Sequence, residues 1–542
     1  MQAPRKNFRG IPSIPYPPSL STRPRLAAPG WGVAGFALFN VAIGIGHFLV
    51  LFNAGAYLAM FPYVGGDLGI PLSHVTWTQT DYFVGMALAL PFAGRLARRV
   101  GDAHLLTGAF LAVAVTSLVC VVSRDQSIFL VARVLQGFAG GLTIPVSQNL
   151  LIKHYAEDRR SVAVALWGIA SFTPFTLAPV TGGWIAETLG WHWWFILGTA
   201  IAFLIALTLG ITLHGRSSRA ERTSLDLVGF VLLAVFMGCL QTLLNRGHDD
   251  DWMASHLLWV LGITSLLSFV AFVIWELGEQ DPLLELRLFA RRTFAVGALG
   301  LFLGFLVFQG LFSLFLVRMQ TAFGYSAFLA GTLFLPMLLA KPLSLVVHKL
   351  LRRFQARELA AINFLGFAAS CAWVASYDRL ASYDTLFWPQ LLAGLFLGAF
   401  FAPLTVLLFS GLPPEQQTRA VELGNILRVF GGSLGITLIA TFWLRRSVAH
   451  QHELVQQLTA YNPVTDAALS ALHSRGVVDG AWAVLAKHVE RHAAMVSFNE
   501  MFWLAAWIFG ALGLFVWLAG AAPPPGGDPV REEALEELAE QP

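Results

Sequence analysis

The sequence predicts an all-α protein that crosses a membrane many times. Of its 542 residues, 56% are hydrophobic and only 12% are charged, whereas soluble proteins carry about 25% charged residues. Apolar runs longer than the roughly 18 residues needed to cross a bilayer recur along the chain. Lysine and arginine are concentrated in alternate connections between these runs, which is typical of membrane proteins with many spans.

Windows of about 19 apolar residues predict about 14 membrane spans. The first six are expected near residues 34–62, 75–96, 104–122, 127–150, 162–186 and 193–213. Two follow near residues 227–245 and 256–275. The last six are expected near residues 294–318, 327–348, 359–376, 386–411, 418–444 and 498–520.

These spans fall into groups of six, two and six. We predict an N-terminal six-helix half at residues 31–214, two inserted helices at 215–290, and a C-terminal six-helix half at 291–520. Each half carries a basic connection after its second span. Two halves built from inverted repeats are typical of secondary transporters, whose substrate site lies near the middle of the membrane between the halves.

Basic residues indicate which ends of the spans face the cytoplasm, because short cytoplasmic loops collect Lys and Arg. An even number of spans places both termini on one side, so the tails at 1–30 and 521–542 are both predicted to be cytoplasmic. The basic residues that support this orientation are Arg95, Arg98, Arg99, Lys153, Arg159, Arg160, Arg216, Arg219, Arg222, Arg287, Arg291, Arg292, Lys349, Arg352, Arg353 and Arg357.

One connection is much longer than the others. Residues 445–496, before the last span, form a mostly polar segment of about 50 residues that is expected on the periplasmic side, and long loops are usually functional. Apolar residues recur at helical spacing in 447–460 and 481–494, which predicts a small helical cap. His488 and His492 have a spacing that could suit a metal, but a solvated helix face is favoured and no metal site is predicted.

Asp81 and Arg133 are charged residues inside predicted spans, where charges are costly and usually functional. Both lie about 10 Å below the periplasmic surface at 1.5 Å per residue, so an ion pair or a shared cavity is geometrically feasible. A buried carboxylate beside an arginine could bind and release a proton as the cavity changes its exposure. The alternatives are a static ion pair and a water-exposed polar lining. Gln136 lies one helical turn from Arg133.

Other polar residues inside the spans extend this set of candidates. His47 could titrate or could form a fixed hydrogen bond between helices. Asn53 lies at a depth similar to Asp81 but can only bind or orient a ligand. Glu422 could take part in proton coupling or could stabilise a helix N-terminus, while Asn425 and the deeper Arg428 are candidate substrate contacts.

Aromatic residues are expected to line the central cavity between the halves. The candidates are Trp167, Phe172, Phe308 and Phe312. An apolar aromatic cavity with few charges suits bulky hydrophobic or weakly cationic solutes rather than sugars or phosphates.

Enzymatic and nucleic-acid-binding functions find no support in the sequence. The chain lacks the glycine-rich phosphate-binding pattern that precedes Lys and Ser or Thr, so ATP-driven transport is not expected. It also lacks a nucleophile and base pair. We expect a protein without enzymatic activity or cofactors, driven by an ion gradient or by a partner.

Several short motifs connect the chain with a known family. They are Thr76-Trp77, 94–101, 132–137, 144–148, 165–167, Gly182-Gly183, 403–405, 410–415, and Asn425 with Arg428. On these motifs the chain resembles the EmrB-type drug:proton antiporters of the major facilitator superfamily, over most of its length. The resemblance implies the major facilitator fold.

The resemblance also implies a function. Such proteins export hydrophobic compounds across the bacterial inner membrane in exchange for protons, together with a periplasmic adaptor and an outer-membrane channel, and residues 445–496 would be a docking surface. It implies that two motifs serve conformational change. The first comprises Gly94, Arg98, Arg99 and Gly101, and the second comprises Pro174, Ala178, Pro179, Gly182 and Gly183.

The chain departs from the family pattern at several positions. Relatives carry Leu-Asp where this chain has Phe52-Asn53, so Asp81 is expected to replace the missing acid. Glu422 is atypical, and Arg98 replaces the usual acidic residue, which would require another partner such as Asp102. Ala178 stands where the family has glycine. Two alternatives therefore stay open: a narrow exporter of a metabolite or siderophore-like compound, and a membrane scaffold or sensor that does not transport.

Overall fold

A computed structural model describes residues 32–156, 174–216, 225–339, 350, 353–377, 381–459, 461–474 and 480–520. Within these ranges the regular structure is helical. Trp167, Phe172 and the candidate cytoplasmic tails lie outside the described residues.

The helices fall into the three groups that the sequence predicts. The N-terminal half contains α1 (Val33–Ala59), α2 (Phe61–Leu68), α3 (Leu72–Val75), α4 (Trp77–Val100), α5 (Asp102–Val122), α6 (Gln126–His154), α7 (Pro174–Thr188) and α8 (His192–Thr212). The inserted pair is α9 (Leu227–Arg246) and α10 (His256–Gly278), with a 3₁₀ turn at Trp252–Ala254 between them.

The C-terminal half begins after a 3₁₀ turn at Leu286–Ala290. It contains α11 (Arg292–Thr321), α12 (Ala327–Thr332), α13 (Leu335–Leu339), α14 (Ala356–Ala375), α15 (Tyr383–Phe409), α16 (Pro414–Gln457), α17 (Pro463–Ser474), α18 (Ala481–Phe515) and a final 3₁₀ turn at Val516–Leu518.

The prediction of an all-α, membrane-spanning fold is confirmed. In the described part of the chain, 11 helices are long and apolar enough to cross a membrane. Helix α4 is more polar, since it carries Asp81 and three arginines near its end. Helices α7 and α12 to α13 occupy the described parts of two further predicted spans. Each predicted span thus coincides with a helix wherever the chain is described.

The two halves pack in the same way, through glycines that let helices approach closely. In the N-terminal half, a Cβ on Gly137 of α6 would clash with the carbonyl of Tyr82 on α4. In the C-terminal half, a Cβ on Gly435 of α16 would clash with the carbonyl of Leu306 on α11. These close contacts make α4 with α6, and α11 with α16, the tightest helix pairs of their halves.

The turn between α4 and α5 defines one end of the helix bundle. Gly101 has φ +98°, a left-handed conformation that glycine adopts without strain. We call the end of the bundle that contains Arg95, Arg98 and Lys153 the basic end, and the other the opposite end.

Residues 445–496 differ from the predicted cap. Their helical periodicity is confirmed, but α16 continues without a break to Gln457 and α18 begins at Ala481, so two core helices extend beyond the bundle. Trp443 donates a hydrogen bond to the carbonyl of Ala494 (3.1 Å), and Arg446 pairs with Glu500 (2.7 Å). These bonds join α16 to α18, and we call residues 445–496 the helical extension.

Candidate functional site

A cavity lies between the two halves at the basic end. Its volume is about 570 Å³, within the usual size range of small-molecule sites. Helices α4 and α6 form one wall and α16 forms the other. The lining residues are Leu90, Gly94, Ala97, Arg98, Asp102, Ile144, Pro145, Val146, Gln148, Asn149, Ile152, Lys153, Val421, Glu422 and Asn425.

At the opposite end, the two halves touch through α7 and α12. A Cβ on Gly183 would clash with the carbonyl of Ala327, and a Cβ on Gly331 would clash with the carbonyl of Pro179. The amide of Phe328 also donates a hydrogen bond to a carboxylate oxygen of α7. Space for a solute is therefore absent along this contact, whereas the cavity reaches the basic end.

A cluster of buried polar side chains joins the two halves further from the basic end than the cavity does. Ser433 of α16 donates to the carbonyl of Thr80 on α4 (2.8 Å) and to Gln241 Oε1 of the inserted helix α9 (3.0 Å). Gln241 Nε2 donates to Thr437 (2.7 Å), which donates to Asn245 Oδ1 (2.8 Å). These five residues, which we call the polar cluster, join both halves and the inserted pair.

Arg133 is fully buried within the N-terminal half. Its Nε donates to the carbonyl of Thr78 (3.0 Å), Nη1 donates to Asn53 (3.2 Å) and Gln136 (2.6 Å), and Nη2 donates to Gln79 (2.8 Å). The guanidinium thus satisfies its donors with neutral acceptors on α1, α4 and α6.

Aromatic rings enclose the same guanidinium. Its carbon lies 4.3 Å from the centre of the Tyr57 ring and 4.5 Å from that of Tyr82. Asn53 Oδ1 also accepts a hydrogen bond from Trp194 (3.1 Å), and Gln136 donates to Ser117 (2.7 Å). Asn53 and Gln136 therefore border a pocket of about 10 Å³ inside one half, instead of the cavity between the halves.

The sequence allows an ion pair or a shared cavity for Asp81 and Arg133, and the two charges act on each other electrostatically. In the described part of the chain no hydrogen bond or ion pair joins them, and the partners of Arg133 are neutral. Asp81 is half-buried on α4, beside Thr80 of the polar cluster. It lies about 14 Å along the helix from Leu90 of the cavity wall.

Arg428 of α16 lies beside aromatic rings of α11 and α15. Its guanidinium carbon lies 5.5 Å from the centre of the Phe305 ring and 5.3 Å from that of Phe401. Its charge acts on His47, which is 1% exposed. Its Nε is buried without a hydrogen-bond partner, and the described residues supply no acid that pairs with it. The positive charge of Arg428 thus lies between two aromatic rings, about 9 Å further along α16 than Glu422.

Glu422 and Arg98 face each other across the halves. A Cβ on Gly94 would lie 3.6 Å from Glu422 Oε1 and 4.0 Å from Arg98 Nη1. Arg98, Arg419 and Arg95 all act electrostatically on Glu422. Two of the positions that depart from the family pattern, Arg98 and Glu422, are therefore neighbours, one on each wall of the cavity.

Asp102 has a partner of its own. It is 4% exposed, and it accepts a hydrogen bond from Lys153 at the end of α6 (2.9 Å). Arg98 and Arg99 are exposed, while Gly94 lies in the cavity wall. Glu422, rather than Asp102, is the acid that faces Arg98.

The glycines of α7 serve two different contacts. A Cβ on Gly182 would clash with the backbone of Ala56 on α1, so this glycine faces its own half, whereas Gly183 faces α12. A Cβ on Gly55 of α1 would lie 2.8 Å from Ala178 and 3.9 Å from Pro179. Pro174 is buried and is the first residue of α7 that the structure describes. Ala178 can pack closely against α1 because the residue that faces it there, Gly55, has no side chain.

Phe308 and Phe312 do not line the cavity between the halves. They are 8% and 3% exposed, and they border a pocket of about 40 Å³ inside the C-terminal half, with Phe334, Phe367 and Gln390. Asn425 is the candidate substrate contact that does line the large cavity.

Sequence reasoning missed the role of the inserted helices. The pattern of Gln241 and Asn245 on one face of α9, four residues apart, was the available signal, because polar side chains at this spacing share a helix face. In the described ranges, no group of three or more His, Cys, Asp or Glu residues could hold a metal ion.

Comparison with known proteins agrees with this architecture. The Major Facilitator Superfamily profile matches residues 43–436. Multidrug export protein EmrB of Escherichia coli K12 is 31% identical over 491 residues, which cover 90% of this chain and 96% of that protein. Fatty acid resistance protein FarB of Neisseria gonorrhoeae is 32% identical over 488 residues, which cover 90% and 96%.

Solved structures share the fold at lower sequence identity. A peptide transporter POT bound to alafosfalin has a TM-score of 0.60 at 13% identity, covering 90% of this chain and 96% of that one. An inward-facing bacterial homologue of the human lysosomal transporter Spinster has a TM-score of 0.56 at 16% identity, covering 91% and 100%. This multi-pass membrane protein belongs to the major facilitator superfamily and, within it, to the EmrB-type transporters.

Proposed function

We propose that this protein exports hydrophobic compounds across the bacterial inner membrane in exchange for protons, by rocking its two halves around a central cavity. The observation that carries this proposal is the cavity of about 570 Å³, which reaches the basic end while glycine contacts and the polar cluster occupy the opposite end. A site open to one side only is what alternating access requires.

The basic end is assigned to the cytoplasm, with both termini on that side. Support comes from Arg95, Arg98, Arg99 and Lys153, because short cytoplasmic loops collect basic residues. The cavity then opens toward the cytoplasm, from which an exported compound must enter.

The substrates proposed for this cavity are hydrophobic, and some carry a negative charge. Its lining combines apolar side chains with a few polar groups. Arg428 is not part of the lining, but it lies about one helical turn beyond Asn425, between Phe305 and Phe401. With no acid paired to it among the described residues, it would attract an anionic group of a substrate that reaches beyond the lining. The names of the relatives are compatible with this, since EmrB is a multidrug export protein and FarB a fatty acid resistance protein.

Proton coupling is assigned to Asp81 and Glu422. Asn53 cannot titrate, and its oxygen accepts bonds from Arg133 and Trp194, so it provides no proton site in the first span. Asp81 lies beside the polar cluster and Glu422 lies in the cavity wall. A carboxylate near each end of the pathway could exchange a proton as each end opens. His47, buried near Arg428, has less access to water.

A periplasmic adaptor and an outer-membrane channel are the proposed partners. The helical extension supports this assignment, because it projects from the opposite end and exposes Val448 (58%), Val464 (76%) and Tyr461 (97%). Apolar side chains exposed on a projecting surface are typical of interaction sites.

The test is proton movement that follows substrate addition to proteoliposomes. The panel contains hydrophobic anions, neutral compounds and hydrophobic cations. Wild-type protein should move protons with at least one hydrophobic compound, and Asp81→Asn should abolish this movement while binding persists. Asp466→Asn, an exposed acid in the helical extension, is the matched control. Proton movement that survives in Asp81→Asn would refute the assignment of coupling to Asp81, and survival in Glu422→Gln would refute the assignment to Glu422. Its absence in wild type would refute antiport of these compounds.

A further inference from the structure

Two carboxylates of the inserted helices lie together outside the central cavity. Asp226 precedes α9 and Glu276 lies near the end of α10. A Cβ on Gly229 would lie 2.5 Å from Glu276 Oε1 and would also clash with Asp226 Oδ2. Both oxygens therefore lie over the same glycine, which provides the space for them.

Each carboxylate has one oxygen engaged and one oxygen free. Asp226 Oδ1 accepts from the amide of Gly229 (2.8 Å) and from the indole of Trp275 (3.0 Å). Glu276 Oε2 accepts from the amide of Leu284 (2.9 Å). The two oxygens that face Gly229, Asp226 Oδ2 and Glu276 Oε1, are buried and have no hydrogen-bond partner.

A small cation would supply the partner that Asp226 Oδ2 and Glu276 Oε1 both lack. Glu276 is 1% exposed, and Asp226 lies half-buried beside it. An ionised carboxylate that is enclosed beside a second acid is costly, so a proton bound to Glu276 is favoured. Arg95 and Asp226 are the charged residues that act on Glu276 in the described chain. A metal ion would need more oxygen ligands, and the described residues provide no group of three acids there.

We propose that Asp226 and Glu276 form a second proton-binding site, in which one proton is shared between Asp226 Oδ2 and Glu276 Oε1. The proton comes from water at the basic end, and the protonated carboxyl donates it to the remaining carboxylate. This site lies in the inserted helices and stands whether or not Asp81 couples transport to protons.

The site is connected to both halves through residues 279–285, which we call the connector. Glu276 holds the connector at the amide of Leu284. Arg95 of α4 donates to the backbone carbonyls of Asp281 (2.9 Å) and Pro282. Arg419 of α16 pairs with Glu285 (2.7 Å). One segment is thus held by the inserted pair, by the N-terminal half and by the C-terminal half.

Loss of the shared proton would loosen this attachment. With both groups ionised, repulsion between Asp226 and Glu276 displaces the Glu276 side chain, and Leu284 loses its acceptor. The connector then holds the halves only through Arg95 and Arg419. Proton occupancy in the inserted helices therefore regulates how firmly the halves are joined at the basic end.

Infrared difference spectroscopy of the full-length protein in nanodiscs tests the site without substrate. The wild-type spectrum should contain a protonated-carboxyl band that disappears as pH rises. The band should be lost in Glu276→Gln and in Asp226→Asn, both of which retain side-chain size and an oxygen for the existing hydrogen bonds. Glu279→Gln, an acid three residues further along, is the control and should retain it.

Hydrogen exchange supplies an independent readout at the connector. In wild type, exchange at Leu284, corrected for its intrinsic pH dependence, should increase when the band disappears, whereas in Glu276→Gln it should stay low at every pH. A wild-type band that persists in both isosteric variants would overturn the proposal. A band or exchange rate that responds to sodium or potassium instead of pH would also overturn it, by identifying a metal cation.

Discussion

Replacing Gln241 by leucine should open the contact between the halves at the opposite end. In the polar cluster this side chain donates to Thr437 (2.7 Å) and Asn245 (2.9 Å) and accepts from Ser433 (3.0 Å). Leucine retains similar volume but removes all three hydrogen bonds. The bond to Asn245 lies within α9, so only the two bonds to Thr437 and Ser433 of α16 depend on the closed arrangement. At roughly 0.6 kcal/mol for each hydrogen bond inside a membrane protein, the closed arrangement would lose about 1.2 kcal/mol, which is roughly a 7-fold change in the equilibrium constant.

Spin labels across this contact provide the measurement. Leu189 and Leu329 are exposed near the facing ends of α7 and α12, so labels at these positions should report separation of the halves. Gln241→Leu should increase the population with long inter-label distances. Thr242→Val, on the exposed face of the same helix, should leave the distances unchanged. An unchanged distribution in Gln241→Leu would refute the view that the inserted pair holds the halves together.

Three further predictions follow from the site. Arg133→Leu should lower the free energy of unfolding by about 3–5 kcal/mol, because it leaves several buried acceptors unpaired. Thermal unfolding in detergent measures this loss, and Arg133→Lys should restore only part of the stability. Arg98→Glu should lower thermal stability in detergent by repelling Glu422, and the added Glu422→Arg change should recover the stability in a double-mutant cycle; independent effects would contradict the pairing. Gly183→Leu should prevent the contact with α12, so labels at Leu189 and Leu329 should report a longer distance between the halves; unchanged distances would contradict this contact.

The helices could be predicted because the length of an apolar run is a local property. The end of α16 could not be read in this way. No glycine or proline interrupts the chain between Gly435 and Pro463, so the helix continues after its apolar residues end, and bonds to α18 stabilise the polar turns. The boundary of a membrane span and the boundary of a helix are different quantities, and hydropathy reports only the first.

Candidate site residues were predicted with less success, for a geometric reason. Counting residues gives the depth of Asp81 and Arg133, but the direction of a side chain around its helix depends on small rotations that packing decides. Arg133 points into its own half, toward Asn53 and Gln136. Trp194 of α8 also donates to Asn53. Motif glycines were more predictable, because close helix contact leaves no room for another residue.

The continuous α16 gives the helical extension a mechanical role. This helix has 44 residues and is about 66 Å long at 1.5 Å per residue. It begins at Pro414, lines the cavity at Glu422, crosses the bundle and ends in the extension, where Arg446 binds Glu500 of α18. A tilt of about 10° around its middle would displace its far end by roughly 6 Å. The position of the projecting helices would therefore change with the conformation of the cavity, and a protein bound to them would be displaced with them.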